Sequence, residues 1–241
     1  MGKPANNTGR RSRRNAIAVL GAIAGVAMVF AAVAALVLAP REAEMGDVQR
    51  LFYFHMPSAW VALGPAFTCV FGFSVAYLVT RNLAYDRVAA AAAEIGVVFT
   101  TITLITGPLW AKPVWGVYWT WEPRLTTTLI LWFIYVGYLL LRSAASPGHK
   151  RARLVAVYGI VGWIDVPIVF LSIWWWRTVH PRILGEGGFA IAGSMAWVLA
   201  LCLLAFTLLF VYLLLVRVRM EELSARLDAL RARADDGGGD V

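Results

Sequence analysis

AIAGSMAWVLALCLLAFTLLFVYLLLV, residues 190–216, runs for 27 positions without a charged side chain. A helix needs about 20 such residues to cross about 30 Å of hydrocarbon, so this stretch reads as a membrane span. Further uncharged or nearly uncharged runs occur towards the N-terminus at about 154–174, 126–141, 88–108, 59–80 and 16–39. Of the 241 residues, 60% are hydrophobic and 15% charged, whereas soluble domains are about half apolar. The expected fold is therefore an all-α integral membrane protein with six transmembrane helices. A basic N-terminus (1–15) precedes a membrane domain (16–216) with an outer loop at 109–125, and a charged tail (217–241) follows it.

Charge gives the expected orientation. Segments 1–15, 81–87, 142–153 and 217–241 hold five, two, four and five basic residues, 16 of the 22 Lys and Arg. The other side holds Arg41, Arg50, Lys112, Arg124, Arg177 and Arg182. By the positive-inside rule both termini are cytoplasmic. The formal charge of +8 is then a topology signal and not a nucleic-acid footprint. The first span follows Arg10, Arg11, Arg13 and Arg14 like a secretory signal, but its apolar core exceeds the roughly 7–15 residues of a signal, so it reads as retained. Both cysteines, Cys69 and Cys202, lie within spans, and there is no Cys-x-x-Cys-His, so the chain is not itself a c-type cytochrome. It also has no Walker motif, dinucleotide fingerprint or His-Glu-x-x-His pattern.

Chemistry concentrates on the outer side. Of 11 tryptophans, Trp60, Trp110, Trp115, Trp119, Trp121, Trp174, Trp175 and Trp176 fall in or beside the outer loops, and none marks an inner boundary. Membrane-interface anchoring explains tryptophan at both faces, so a one-sided set leaves an aromatic platform equally open. His55 precedes the second span and His180 follows the fifth, both outside, while His149 sits in a basic inner loop and reads as solvated. Two imidazoles from separate segments can ligate iron from opposite faces of a flat ring. Beside a tryptophan surface, a flat apolar ligand carrying a metal explains both features. Haem also carries two propionates, for which Arg124, Arg177, Arg182, Arg50 and Lys112 are candidate partners.

Three acids need a reading. Glu122 precedes Pro123, which suits the first helical position, so Glu122 is expected at the cap of the fourth span near the positive end of its dipole. Glu94 lies nearer the inner end of the third span and is expected to reach Arg87 or Arg81. Asp165 precedes Pro167, which is expected to bend the fifth helix towards the outer site, with a bond to Ser or Thr of the third span as the plain role for the acid. In the tail, Leu223, Leu227 and Leu230 at helical spacing among charges predict a short solvated helix.

LITGPLWAKPVWGVYWTWEPRLT, residues 104–126, resembles the tryptophan-rich WWD signature of haem-handling proteins. The chain is most similar to the cytochrome c maturation protein C family, CcmC, also called haem exporter protein C. RLFYFHMPSAW (50–60), AEIG (93–96) and the run from Val166-Pro-Ile through WWWRTVH (174–180) resemble further family segments, so the likeness spans about residues 45–185. It implies a haem-binding transport protein of the bacterial plasma membrane, not an enzyme. Haem b, its cargo, would be ligated by His55 and His180 and cradled by Trp110, Trp115, Trp119, Trp121, Glu122 and Arg124. It also implies delivery to the haem chaperone CcmE, alongside the ABC transporter subunits CcmA and CcmB and the small subunit CcmD. Two other readings are a haem lyase component like the larger CcmF and CcsA, and a permease subunit without haem. This chain departs from the pattern in having Glu122 where Asp is usual, Pro123 where a small residue is common, and Asp165 where Asn is usual. Trp174, Trp175 and Trp176 replace a segment that usually has an acid before two tryptophans.

Overall fold

The computed structural model describes residues 7–43, 45–176, 184–185, 188–189 and 193–237. Six helical stretches in it are long and apolar enough to cross a membrane, which bears out the all-α fold of a multi-pass membrane protein. In lipid every backbone N–H and C=O must be satisfied within its own segment, which leaves helices as the way for these runs to cross. The helices overrun the apolar runs at most ends because a charged or aromatic end can stay helical while its side chains reach water or headgroups.

The first span is α1 (Asn7–Val33), continued by a π turn at Ala34–Leu38. The second comprises a 3-10 turn (Asp47–Leu51), α2 (Phe52–Val61), a π turn (Ala62–Ala66) and α3 (Phe67–Thr80). Pro57 and Pro65 each remove an N–H from this span. The helix absorbs Pro65 by widening, with Phe67 N–H donating to the Ala62 carbonyl five residues back. The third span is α4 (Leu83–Trp115) and the fourth is α5 (Pro123–Ala144). The fifth divides into α6 (His149–Trp163) and α7 (Asp165–Trp175), with the break at Ile164. Pro167 has no N–H for the Trp163 carbonyl four residues earlier, so the expected interruption falls there. Two-residue strands, β1 (Leu184–Gly185) and β2 (Gly188–Phe189), pair antiparallel before the sixth span, α8 (Gly193–Gly237). The tail helix is thus no separate piece; it continues α8, with Leu223, Leu227 and Leu230 exposed.

The core lies where α2 to α8 converge. Phe67 of α3 stacks on Tyr135 of α5 with ring centroids 3.8 Å apart and planes within 9°. Gly96 of α4 makes this approach possible, since a Cβ there would lie 2.5 Å from the Phe67 ring. Around the stack, Val70, Phe99, Leu131, Val155, Val169 and Phe206 are buried.

Ion pairs tie the helices together at the end that carries the basic loops. Asp86 of α4 accepts two bonds from one nitrogen of Arg142 of α5, at 2.9 and 3.0 Å, and the two side chains are 5% and 11% exposed. Glu94 pairs with Arg217 of α8, which also holds Glu221 at 2.9 Å, and Arg13 of α1 reaches Glu222 at 3.4 Å. The expected partner of Glu94 was Arg87 or Arg81. Arg87 is seven residues away, roughly 10 Å along the helix at 1.5 Å per residue, whereas α8 lies alongside and brings its guanidinium to the carboxylate. The expected bond to Asp165 is not made: its Oδ2 is buried without a hydrogen-bond partner among the described residues.

Asp86→Ala strands the Arg142 guanidinium in a buried position and is expected to lower stability by about 3–5 kcal/mol. The loss should appear as a lower melting temperature of the detergent-solubilised protein, and adding Arg142→Leu should recover most of it. Unchanged melting in the single variant would show that the pair does not brace the bundle.

Candidate functional site

A cleft opens between α2, α4, α5 and α7, with about 1100 Å³ of empty space when its open mouth is included. Its walls are mostly apolar, and the sequence explains how each is built.

His55 stands inside α2, not in a loop before the second span as the hydropathy suggested. The span is expected from residue 59, but no Asp, Glu, Lys or Arg occurs between Arg50 and Arg81, and the mostly apolar residues 51–58 are already helical. The imidazole packs on the bare backbone of α4: a Cβ at Gly107 would lie 3.2 Å from His55 Cε1. His55 Nδ1 is 2.9 Å from Thr106 Oγ1. Trp110, one turn further along α4, is 5% exposed and has its ring 6.2 Å from the imidazole. It also contacts Phe52 at 5.9 Å and Trp115 at 6.2 Å.

Trp110 and Trp115 lie on α4, which carries the third span well into the stretch expected to be loop. The helix stops where Gly116 adopts φ +76°, a conformation that favours glycine, with its N–H bonded to the Lys112 carbonyl at 3.0 Å. The connection then runs only to Glu122. That residue holds the expected cap position of α5 with Pro123 behind it, but its side chain makes no cap bond; its carbonyl accepts from Thr126 N–H at 3.0 Å. A glutamate caps less readily than a shorter acid.

Trp119 in the connection and Arg124 in the first turn of α5 complete the cleft with Leu125, Thr128 and Phe170. Among the described residues Arg124 makes no salt bridge or side-chain hydrogen bond, although it feels the charge of Glu122. Other outer cations are engaged elsewhere. Arg50 donates to the carbonyls of Ala35 and Leu36 and pairs with Asp47 at 3.2 Å. Lys112 donates to the Gly116 carbonyl at 2.7 Å and lies 5.2 Å from the centre of the Tyr118 ring. The indole N–H groups of Trp110 and Trp119 are buried without an acceptor among the described residues.

The model described as heme exporter protein C matches residues 3–233. The chain belongs to the heme exporter protein C family. It is 38% identical over 200 residues to the heme exporter protein C of Bradyrhizobium diazoefficiens, covering 80% of this chain and 74% of that one. The Haemophilus influenzae heme exporter protein C is 37% identical over 188 residues, 77% and 76% of the two chains. A putative cytochrome c biosynthesis ccmC-like mitochondrial protein of Marchantia polymorpha is 36% identical over 159 residues, 66% and 67%.

In this member of the heme exporter protein C family the cleft brings together His55, Trp110, Trp115, Trp119 and Arg124. Trp121 is 75% exposed, and neither it nor Glu122 lines the cleft. His180, Arg177 and Arg182 lie outside the described residues. Trp174, Trp175 and Trp176 are about half exposed at the end of α7, which fits interface anchoring. The outer tryptophans therefore divide into cleft walls and anchors. His149 is exposed yet held: Tyr77 O–H donates to its carbonyl at 3.1 Å, and the two rings are parallel to within 19°. Thr103, Gly107 and Phe170 line the cleft without having stood out in the sequence, where threonine and glycine in an apolar helix carry no distinguishing mark.

Gly107→Val adds bulk between α4 and the imidazole, so His55 must swing away from Thr106. A binding titration is expected to show at least a tenfold loss of ligand affinity at the cleft, with far-UV dichroism unchanged. Wild-type affinity in a folded variant would show that the close approach of α2 and α4 is not needed.

Proposed function

We propose that this protein binds haem in the α2–α4–α5 cleft at the outer face of the plasma membrane and presents it to the chaperone CcmE for c-type cytochrome assembly. One observation carries the reading: a histidine, four tryptophans and an arginine that makes no salt bridge among the described residues, from separate elements, share one apolar cleft. The macrocycle would lie against Trp110, Trp115 and Trp119, with His55 on the iron and Arg124 at a propionate. His180 supplies the second axial ligand in this reading. The names of the relatives, heme exporter and cytochrome c biosynthesis protein, support the cargo and the pathway.

Orientation follows from charge. The basic loops share an end with the Asp86–Arg142 pair, and the cleft lies near the other end, so the positive-inside rule supports an outward-facing site and cytoplasmic termini. In this scheme CcmA and CcmB supply the ATP-driven step and CcmD docks within the bilayer. The chain makes no covalent bond to haem, which separates it from a lyase component.

Purified protein supplemented with haem is expected to show a Soret band that His55→Ala and His180→Ala each abolish or shift and His149→Ala leaves alone. Arg124→Gln removes a charged hydrogen bond worth about 1.5–3 kcal/mol, so haem affinity should fall about 10- to 150-fold. Copurification of CcmE with haem-loaded protein should separate presentation from lyase work. A wild-type protein that takes up no haem would overturn the reading in favour of a permease subunit.

A further inference from the structure

Thr106 touches no ligand in the reading above, yet its geometry sets which nitrogen of His55 is available to one. Its hydroxyl carries a single hydrogen. That hydrogen has backbone acceptors within its own helix, the Ile102 carbonyl at 2.7 Å and the Thr103 carbonyl at 3.4 Å. At 2.9 Å from His55 Nδ1, the threonine oxygen can then act only as an acceptor.

The protein holds two contacts of the same design, and a third that shares only the accepting half, in which the donor is beyond question. Thr101 donates to the Val97 carbonyl at 2.8 Å and accepts from the indole N–H of Trp132 at 2.8 Å. Thr207 donates to the Leu203 carbonyl at 2.7 Å and accepts from Trp60 at 3.2 Å. Thr68 accepts from Trp163 at 3.5 Å. An indole nitrogen can only donate, so helical threonines in this bundle serve ring N–H groups as acceptors. His55 occupies the same relation to Thr106.

From this geometry we infer that Thr106 is the positioning residue for His55: it holds the proton on Nδ1 and so assigns Nε2 as the nitrogen that coordinates iron. The inference rests on the haem reading for its purpose, but the proton assignment stands on the hydrogen bonds alone. Histidines that ligate metals generally donate their other ring N–H to a fixed acceptor, which orients the ring and raises its basicity. Gly107 contributes the second constraint, since the lack of a side chain there lets the ring seat beside Thr106. The sequence pair Thr106-Gly107 therefore acts as a cradle, one residue fixing the proton and the other the plane.

The proton assignment is tested on the haem-free protein, in lipid nanodiscs, by nitrogen NMR of 15N-histidine-labelled chain, with His55→Gln used to identify the signal. A protonated, pyrrole-type Nδ1 at His55 supports the inference, and a pyridine-type Nδ1 overturns it, whether or not the protein binds haem. Positioning is tested with haem added. Thr106→Val is expected to weaken haem binding about 10- to 100-fold and to raise the midpoint potential of the bound haem, because an imidazole that loses its acceptor is a weaker donor to ferric iron, while Thr106→Ser restores both. A Thr106→Val protein with wild-type affinity and potential would overturn the positioning role. Absence of haem binding in the wild type, with Nδ1 still protonated, would instead overturn the haem reading and leave the proton assignment standing.

Discussion

The seam between α2 and α4 is the contact on which the cleft depends. Two helices approach closely because Gly107 offers no side chain, and the imidazole of His55 fills the space. From that seam Trp110 and Trp115 extend along α4 and Phe52 along α2, so one helix pair sets both the imidazole and its aromatic surroundings. The opposite wall comes from α5 and α7, held by the Phe67–Tyr135 stack deeper in the bundle. Losing the close approach at Gly107 would move the ring and the tryptophans together.

Helix breaks shape the rest. Pro65 in the second span and Pro167 in the fifth each remove a donor that lipid cannot replace, so each break must be absorbed by the local winding, whereas α2 runs unbroken through Pro57. The π turn at Ala62–Ala66 begins about two turns after His55, and Phe170 reaches the cleft from the half of the fifth span beyond the break at Ile164. These departures from straight helices flank the site on both sides.

The apolar runs made six spans readable because the bilayer imposes a length, and Glu122-Pro123 made the start of α5 readable because proline fits one position. His55 was harder to place, since the apolar residues 51–54 ahead of it extend the helix beyond the run that starts at 59. The partner of Glu94 was out of reach because helix neighbours, not sequence neighbours, decide it, and Arg217 is 123 positions away. The tryptophans could be grouped by side but not sorted into walls and anchors, because that depends on which face of α4 meets α2. Thr106 and Gly107 were within a quoted motif, yet a threonine bonded to its own helix looks ordinary until the ring beside it is seen.

The length of α8 has a mechanical meaning. Its 45 residues at about 1.5 Å each make a rod of nearly 70 Å, more than twice the hydrocarbon thickness of about 30 Å. The Glu94–Arg217 pair grips that rod near the point where it leaves the bilayer, as a collar grips a lever. Trp60, on the wall of the cleft, is bonded to the same rod through Thr207. The protruding arm, the pivot and the rim of the cleft are thus joined by one uninterrupted helix.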